Sequence, residues 1–330
     1  MRDQFLPLYI FIFFLTVLLT VMIERKLIPI LRKSAKQPIY AEGPRWHTKK
    51  SGTPTMGGLA FLISISISLL ICILFLFDKR MEKSSLSLLI SLLFAISNSL
   101  IGIIDDRKKL KRKENQGLTA SQKLMLQTLS AVLFLFLRKK LLFDSTEIVF
   151  AFGKIDLGLW YYPLSLVILI MLINSANLTD GIDGLASSVT FGIGISLMYI
   201  SSSISAEASM IATTLIGASL AFLCFNLHPA KIFMGDTGSL FFGALIASAG
   251  FSLKNPILML FVAGVYVIEG FSVILQVGFY KLTHKRIFKM APLHHHFEKC
   301  GWSENRICIV AILSTLVISV IAFVLYRSYI

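Results

Sequence analysis

Five short polar clusters interrupt an otherwise apolar chain, and each carries residue types that can handle phosphate or a hard cation. Asp105 and Asp106 close the stretch IGIIDDRKK, so two adjacent carboxylates are followed at once by Arg107, Lys108 and Lys109. Carboxylate oxygens suit Mg2+, and the cations suit phosphate oxygens, although a solvated helix end would show the same charges. In NLTDGIDGL, Asn177, Asp180 and Asp183 recur at three-residue spacing, which on a helix puts them on one face. Gly181 and Gly184 would let a flat ligand approach the backbone closely. FMGDTGSL sets Asp236 between glycines just before an apolar run, with Asp236 or Thr237 as the expected N-cap; a helix N-terminus is also a natural phosphate site. Asn226 lies shortly upstream in the same loop.

GTPTMGG reads as a helix start, Thr53 as N-cap and Pro54 at the first helical position. Lys49 and Lys50 ahead of it could grip a diphosphate, but the GKS/T ending of a Walker A loop is missing. APLHHHFE holds His294, His295 and His296. Helical neighbours differ by about 100°, so at most two could meet one metal; contacts to phosphates or sugar hydroxyls fit better. Glu269, in VYVIEGFSVILQ, is the one acid well inside an apolar stretch and is expected to have a partner.

Membrane helices are needed to hold these clusters. The chain has 330 residues, a mean hydropathy of +0.77, 55% hydrophobic and only 15% charged residues, a composition that excludes an ordinary soluble domain. Apolar runs at 5–31, 56–77, 85–104, 122–141, 160–178, 185–203, 207–225, 238–253, 256–280 and 306–327 predict about ten transmembrane helices. The first reads as a retained anchor, not a cleavable signal, and the eighth is short enough to begin inside a polar pocket. Residues 143–160 alternate like strands around Gly153-Lys154, which predicts a small extracytoplasmic β-hairpin. The fold class is therefore an all-α polytopic membrane protein, one integral membrane domain over residues 1–330.

The net charge of +14 sits between spans and not in one stripe with interleaved aromatics, so it reads as the positive-inside pattern and excludes nucleic acid as partner. Loops after odd-numbered spans hold most of the Lys and Arg, which predicts that they are cytoplasmic and that both termini lie outside. Arg138 to Lys140 run against that trend. All five polar clusters fall in the odd loops and so belong to one face, facing membrane lipid and the cytoplasm. Four cysteines show no CxxC and no ligand spacing, which argues against a disulfide framework or a thiolate metal site.

GTPTMGG, DDxxK (Asp105, Asp106, Lys109), NxxNLTDGxDGL, FMGDTGSL, SVILQ and APxHHHFE occur in this order over nearly the whole chain. As a set they resemble the phospho-N-acetylmuramoyl-pentapeptide transferases, within the polyprenyl-phosphate N-acetylhexosamine-1-phosphate transferase superfamily. The contiguous HHH after AP points to that branch and away from a sister branch that transfers GlcNAc-1-phosphate. The resemblance implies Mg2+-dependent transfer of phospho-MurNAc-pentapeptide from UDP-MurNAc-pentapeptide to undecaprenyl phosphate, giving lipid I and UMP. It also implies a homodimer in the bacterial plasma membrane, with its active site facing the cytoplasm.

By the same resemblance Asp236 would be the principal Mg2+ ligand, Asp105 the base or nucleophile, and Asp106 an orienting group. Lys50, Lys109 and Lys123 would contact phosphates. Asn177, Asp180, Asp183, Asn226, Phe233 and Gln276 would line the nucleotide pocket, and His294, His295 and His296 would lie near the sugar-phosphate. A reading of another class, a carboxylate-driven secondary transporter, needs acids near the bilayer midplane, where only Glu269 falls.

Overall fold

Long apolar runs must become helices in lipid, because only a helix or a closed barrel satisfies its own backbone there. The computed structural model describes residues 2–35, 52–112, 117–150 and 152–327; Lys49 and Lys50 lie outside the described residues. In chain order it contains α1 (Arg2–Ser34), α2 (Gly58–Asp78), α3 (Glu82–Arg112), α4 (Ala120–Leu137), β1 (Glu147–Phe150), β2 (Gly153–Asp156), α5 (Tyr161–Thr179) and α6 (Leu185–Ser201). Then follow α7 (Ala206–Asn226), α8 (Gly235–Ser252), α9 (Leu258–Val262), α10 (Gly264–Thr283), α11 (Leu293–Lys299) and α12 (Glu304–Arg327). Among the described residues, 8 helices are long and apolar enough to cross a membrane, namely α1 to α5, α7, α10 and α12. With α6 and α8 they account for the runs read from the sequence, and the chain is an all-α, membrane-integral protein. β1 and β2 form the expected antiparallel hairpin, pairing Glu147 with Asp156 and Phe150 with Gly153.

The centre of the bundle is α8, buried at every position from Thr237 to Phe251 and packed against α2, α3, α5 and α7. A helix apolar on all sides belongs in such a position. Phe61 of α2 stacks on Phe242 with ring centroids 4.1 Å apart and meets Phe222 of α7 edge-on at 5.2 Å. Two glycines bring α2 and α3 close to the start of α8. A Cβ on Gly58 would lie 2.3 Å from Gly238 Cα, and one on Gly102 would lie 2.3 Å from the Asp236 carbonyl oxygen. Small residues permit this backbone approach, which carries the polar end of α3 to that of α8.

Two expectations fail. The run at 256–280 is not one helix: it breaks at Ala263 (φ −98°, ψ 30°) into α9 and α10. Gly264 there packs so closely on Ile318 of α12 that a Cβ would come within 2.6 Å of that side chain. Nor do Thr53 and Pro54 start a helix, since α2 begins at Gly58. Backbone pairing with another loop wins instead: Phe233 N–H donates to Pro54 O (2.9 Å), Gly57 N–H to Phe233 O (2.8 Å) and Gly58 N–H to Met234 O (3.0 Å).

Arg138, which ran against the charge trend, is an internal tie and not a topology signal. It is 4% exposed. Its Nε donates to Asp144 Oδ2 (2.6 Å), and its remaining nitrogens donate to Ser87 Oγ (3.1 Å) and the Phe251 carbonyl (3.2 Å).

Candidate active site

The end of α3 meets the start of α8. Helix N-termini leave N–H groups without intrahelical partners, and anions are favoured beside them. Here the anion comes from another helix. Asp106 Oδ1 accepts the Asp236 N–H (3.2 Å), while Oδ2 accepts the Thr237 N–H (2.9 Å) and hydroxyl (2.7 Å). This corrects the expectation that Asp236 or Thr237 would cap α8: the N-cap position is Met234, without a side-chain bond. Because Asp106 serves the helix end, the Asp236 carboxylate is left to face other groups.

Those groups are cations and an amide. Asp236 Oδ2 receives Lys123 Nζ at 2.6 Å and Lys109 Nζ at 3.1 Å, and Oδ1 accepts from Asn177 Nδ2 at 3.0 Å. Lys109 also lies 2.6 Å from Asp105 Oδ2, one helical turn back, and Lys123 donates to Asn177 Oδ1 (3.1 Å). Asp105 Oδ1 accepts the Leu118 N–H (2.7 Å). Lys123 is fixed in the first turn of α4, which a capping box of Thr119 and Gln122 starts. Thus α3, α4, α5 and α8 each contribute an end to one centre. Its three carboxylates face two ammonium groups, a formal excess of one negative charge.

One ligand atom from each of Asp105, Asp106 and Asp236 lies within 4.8 Å of the others. An octahedral shell at about 2.1 Å spans about 4.2 Å between opposite oxygens, so a small closure would suit Mg2+. All donors are hard oxygens and the residual charge is negative, so the residues fit that ion.

The asparagine and aspartates of NLTDGIDGL do not share a helix face. Helix α5 ends at Thr179, leaving Asn177 on the helix, Asp180 at its C-cap and Asp183 beyond it. Asp180 remains in the field of the centre: burial, then the charges of Asp236, Asp106 and Asp183, hold its carboxyl well above the usual carboxylate range. Asp183 enters a second cluster. Its Oδ2 accepts the Ala230 N–H (3.1 Å) and lies 2.9 Å from His228 Nδ1, while its own N–H donates to Glu304 Oε2 (2.7 Å). Glu304 Oε1 lies 3.3 Å from the same His228 nitrogen. Asn226 ties the adjoining loops, accepting the Gly184 N–H (3.1 Å) and donating to Ile232 O (2.8 Å). Sequence reasoning missed His228 and Glu304. His228 stood in the loop between Asn226 and Asp236, which was a usable signal; Glu304 offered none.

The remaining positions divide. Half-buried Phe233 belongs to the loop paired with Pro54 and Gly57. Gln276 binds backbone instead of joining the acid centre: its Oε1 accepts from Ile287 N (3.1 Å) and Phe288 N (3.0 Å), and its Nε2 donates to Phe288 O (3.0 Å). The three histidines have three different environments. His294 is fully buried against Glu269, His295 Nδ1 is 2.5 Å from Glu298 Oε2, and His296 Nδ1 accepts the Lys289 N–H (3.1 Å). Gly181, next to Asp180, touches His294, so all five polar clusters of the sequence converge on one end of the bundle.

The family model for Glycosyl transferase family 4 matches residues 88–254, and signature 1 of the phospho-N-acetylmuramoyl-pentapeptide-transferases matches residues 50–62. Curated relatives carry the name phospho-N-acetylmuramoyl-pentapeptide-transferase. One from Clostridium botulinum (strain Eklund 17B) is 42% identical over 90% of this chain and 90% of its own length. One from Halalkalibacterium halodurans is 43% identical over 89% and 90%, and one from Caldicellulosiruptor bescii is 40% identical over 97% of each. With identity at this level over almost its full length, the chain belongs to the phospho-N-acetylmuramoyl-pentapeptide-transferase family of enzymes.

Proposed function

We propose that this enzyme transfers phospho-MurNAc-pentapeptide from UDP-MurNAc-pentapeptide to undecaprenyl phosphate, forming lipid I and releasing UMP. The reaction takes place on the cytoplasmic face of the bacterial plasma membrane, with Mg2+ held principally by Asp236. The names of the relatives support the reaction, and the basic loops between spans support the orientation. The observation that carries the reading is the triad Asp105, Asp106 and Asp236, set against Lys109 and Lys123 at the ends of three helices.

Phosphoryl transfer asks a protein mainly to position two anions and to balance charge as the bond changes hands. A bound divalent cation would polarise the phosphoryl oxygens and offset the charge of the leaving UMP. Lys109 and Lys123 already stand at the carboxylates and would meet phosphate oxygens. Asp106 keeps both oxygens on the start of α8 and so fixes where Asp236 points. By the family resemblance Asp105, which meets Lys109 and the Leu118 N–H, would be the carboxylate that acts on the acceptor phosphate. Asp180, whose carboxyl burial and the charges of Asp236, Asp106 and Asp183 hold well above the usual carboxylate range, would line the nucleotide pocket.

The test is UMP release by purified protein in detergent, with undecaprenyl phosphate, Mg2+ and either UDP-MurNAc-pentapeptide or UDP-GlcNAc. Release with the muramoyl nucleotide alone is expected. Release with UDP-GlcNAc instead would move the enzyme to the sister branch, and no release from either would refute the reading.

A further inference from the structure

Glu269 has no role in the chemistry above, yet it is a buried acid in the middle of an apolar helix. It is 6% exposed, and its Oε2 lies 3.3 Å from the backbone nitrogen and 3.1 Å from Nδ1 of His294. An unprotonated Nδ1 there would set its lone pair against a carboxylate oxygen, so Nδ1 carries the proton and donates. The opposite nitrogen is then decisive. Nε2 of His294 is buried without a hydrogen-bond partner among the described residues. A Cβ built on Gly181 would lie 2.2 Å from Nε2, against 2.8 Å from Cε1 and 3.3 Å from Cδ2, so the nitrogen apex faces the glycine. A proton on Nε2 would point at a Cα with no acceptor, whereas its lone pair there meets a weak Cα–H donor.

We infer that Glu269 is a positioning residue that acts through His294: it locks the Nδ1–H form, and the ring acts as a strut under Gly181 instead of touching substrate. Membrane helix α10 therefore sets the place of the 180–184 turn through one carboxylate and one imidazole. The first histidine of the run is set apart from the other two, whose Nδ1 atoms meet Glu298 and the Lys289 N–H.

The kinetic part of this inference rests on the proposed reaction; the exchange part does not. Hydrogen exchange of the peptide covering 180–186 would be followed by mass spectrometry in the full chain in detergent. Glu269→Ala is expected to speed exchange about tenfold, and Glu269→Gln to stay within about twofold of the parent, because its carbonyl oxygen can accept both N–H groups. With UDP-MurNAc-pentapeptide, Glu269→Ala should raise KM about tenfold and change kcat less than about threefold, with rescue by Gln.

Gly181→Ala provides a second route if Glu269→Ala fails to fold. Its Cβ should drive into the ring, raising both exchange and KM, and adding His294→Ala should return both towards the His294→Ala values. Gln behaving like Ala, or effects of the Gly181 and His294 changes that simply add, would overturn the inference. A parent protein that releases no UMP would refute the proposed reaction, while the exchange rates would still decide whether Glu269 holds the turn.

Discussion

Among the described residues, two clusters have the composition of a divalent-cation site, and their bonding differs. The atoms of Asp105, Asp106 and Asp236, like those of Asp183, His228 and Glu304, lie within 4.8 Å of one another. In the first, Asp105 and Asp106 also accept backbone N–H groups, but Asp236 is held by side chains alone, two of them lysines whose ammonium groups can move to a phosphate when one arrives. In the second, the carboxylates are tied to the N–H groups of Ala230 and Asp183, which cannot leave without unfolding a loop. The bonding fits charge held ready for a ligand in the first and a brace for the surrounding loops in the second. Proximity of acids alone does not separate chemistry from architecture, but the identity of their partners does.

The sharpest way to break this contrast is to neutralise one carboxylate in each. Asp236→Asn keeps shape and removes the charge that the lysines face. UMP release should fall by about 10³-fold or more in the folded protein, on the scale of losing a central electrostatic group. Asp183→Asn should act the other way round. Losing a buried, multiply bonded carboxylate costs about 1–3 kcal/mol, read as a lower melting midpoint, with KM for the nucleotide raised as the 180–184 turn loosens. Equal kinetic losses with equal stability changes would erase the distinction.

Arg138 extends the comparison to the opposite end of the bundle. Arg138→Met removes the tie to Asp144 and the Phe251 carbonyl and should lower stability by about 1–3 kcal/mol, with kcat unchanged in the folded protein. A loss of kcat would mean that this end of the bundle communicates with the acid centre.

Much of this was legible in the chain. Span positions follow from unbroken apolar runs that the bilayer turns into helices, and the hairpin follows from alternation between turn residues. The gathering of clusters in alternate loops gave the composition of the site. Residues whose partners lie far along the chain were not legible in this way. Asp106 caps α8 across 130 residues of sequence, so the local pattern pointed to Asp236 or Thr237 instead. Pro54 looked like a helix start because nothing nearby announces its pairing with Phe233. The break at Ala263 depends on how closely Gly264 packs on Ile318 of another helix. Glu269 was marked as needing a partner, but only the fold could supply His294.

The contrast between the two clusters is tested most directly by Mn2+ binding to the purified protein in detergent, followed by electron paramagnetic resonance. Mn2+ shares the preference of Mg2+ for octahedral oxygen ligands. Binding in the parent that is lost in Asp236→Asn and kept in Asp183→Asn is the predicted result. Binding kept in Asp236→Asn and lost in Asp183→Asn would contradict it, moving the cation to the cluster that is read here as a brace.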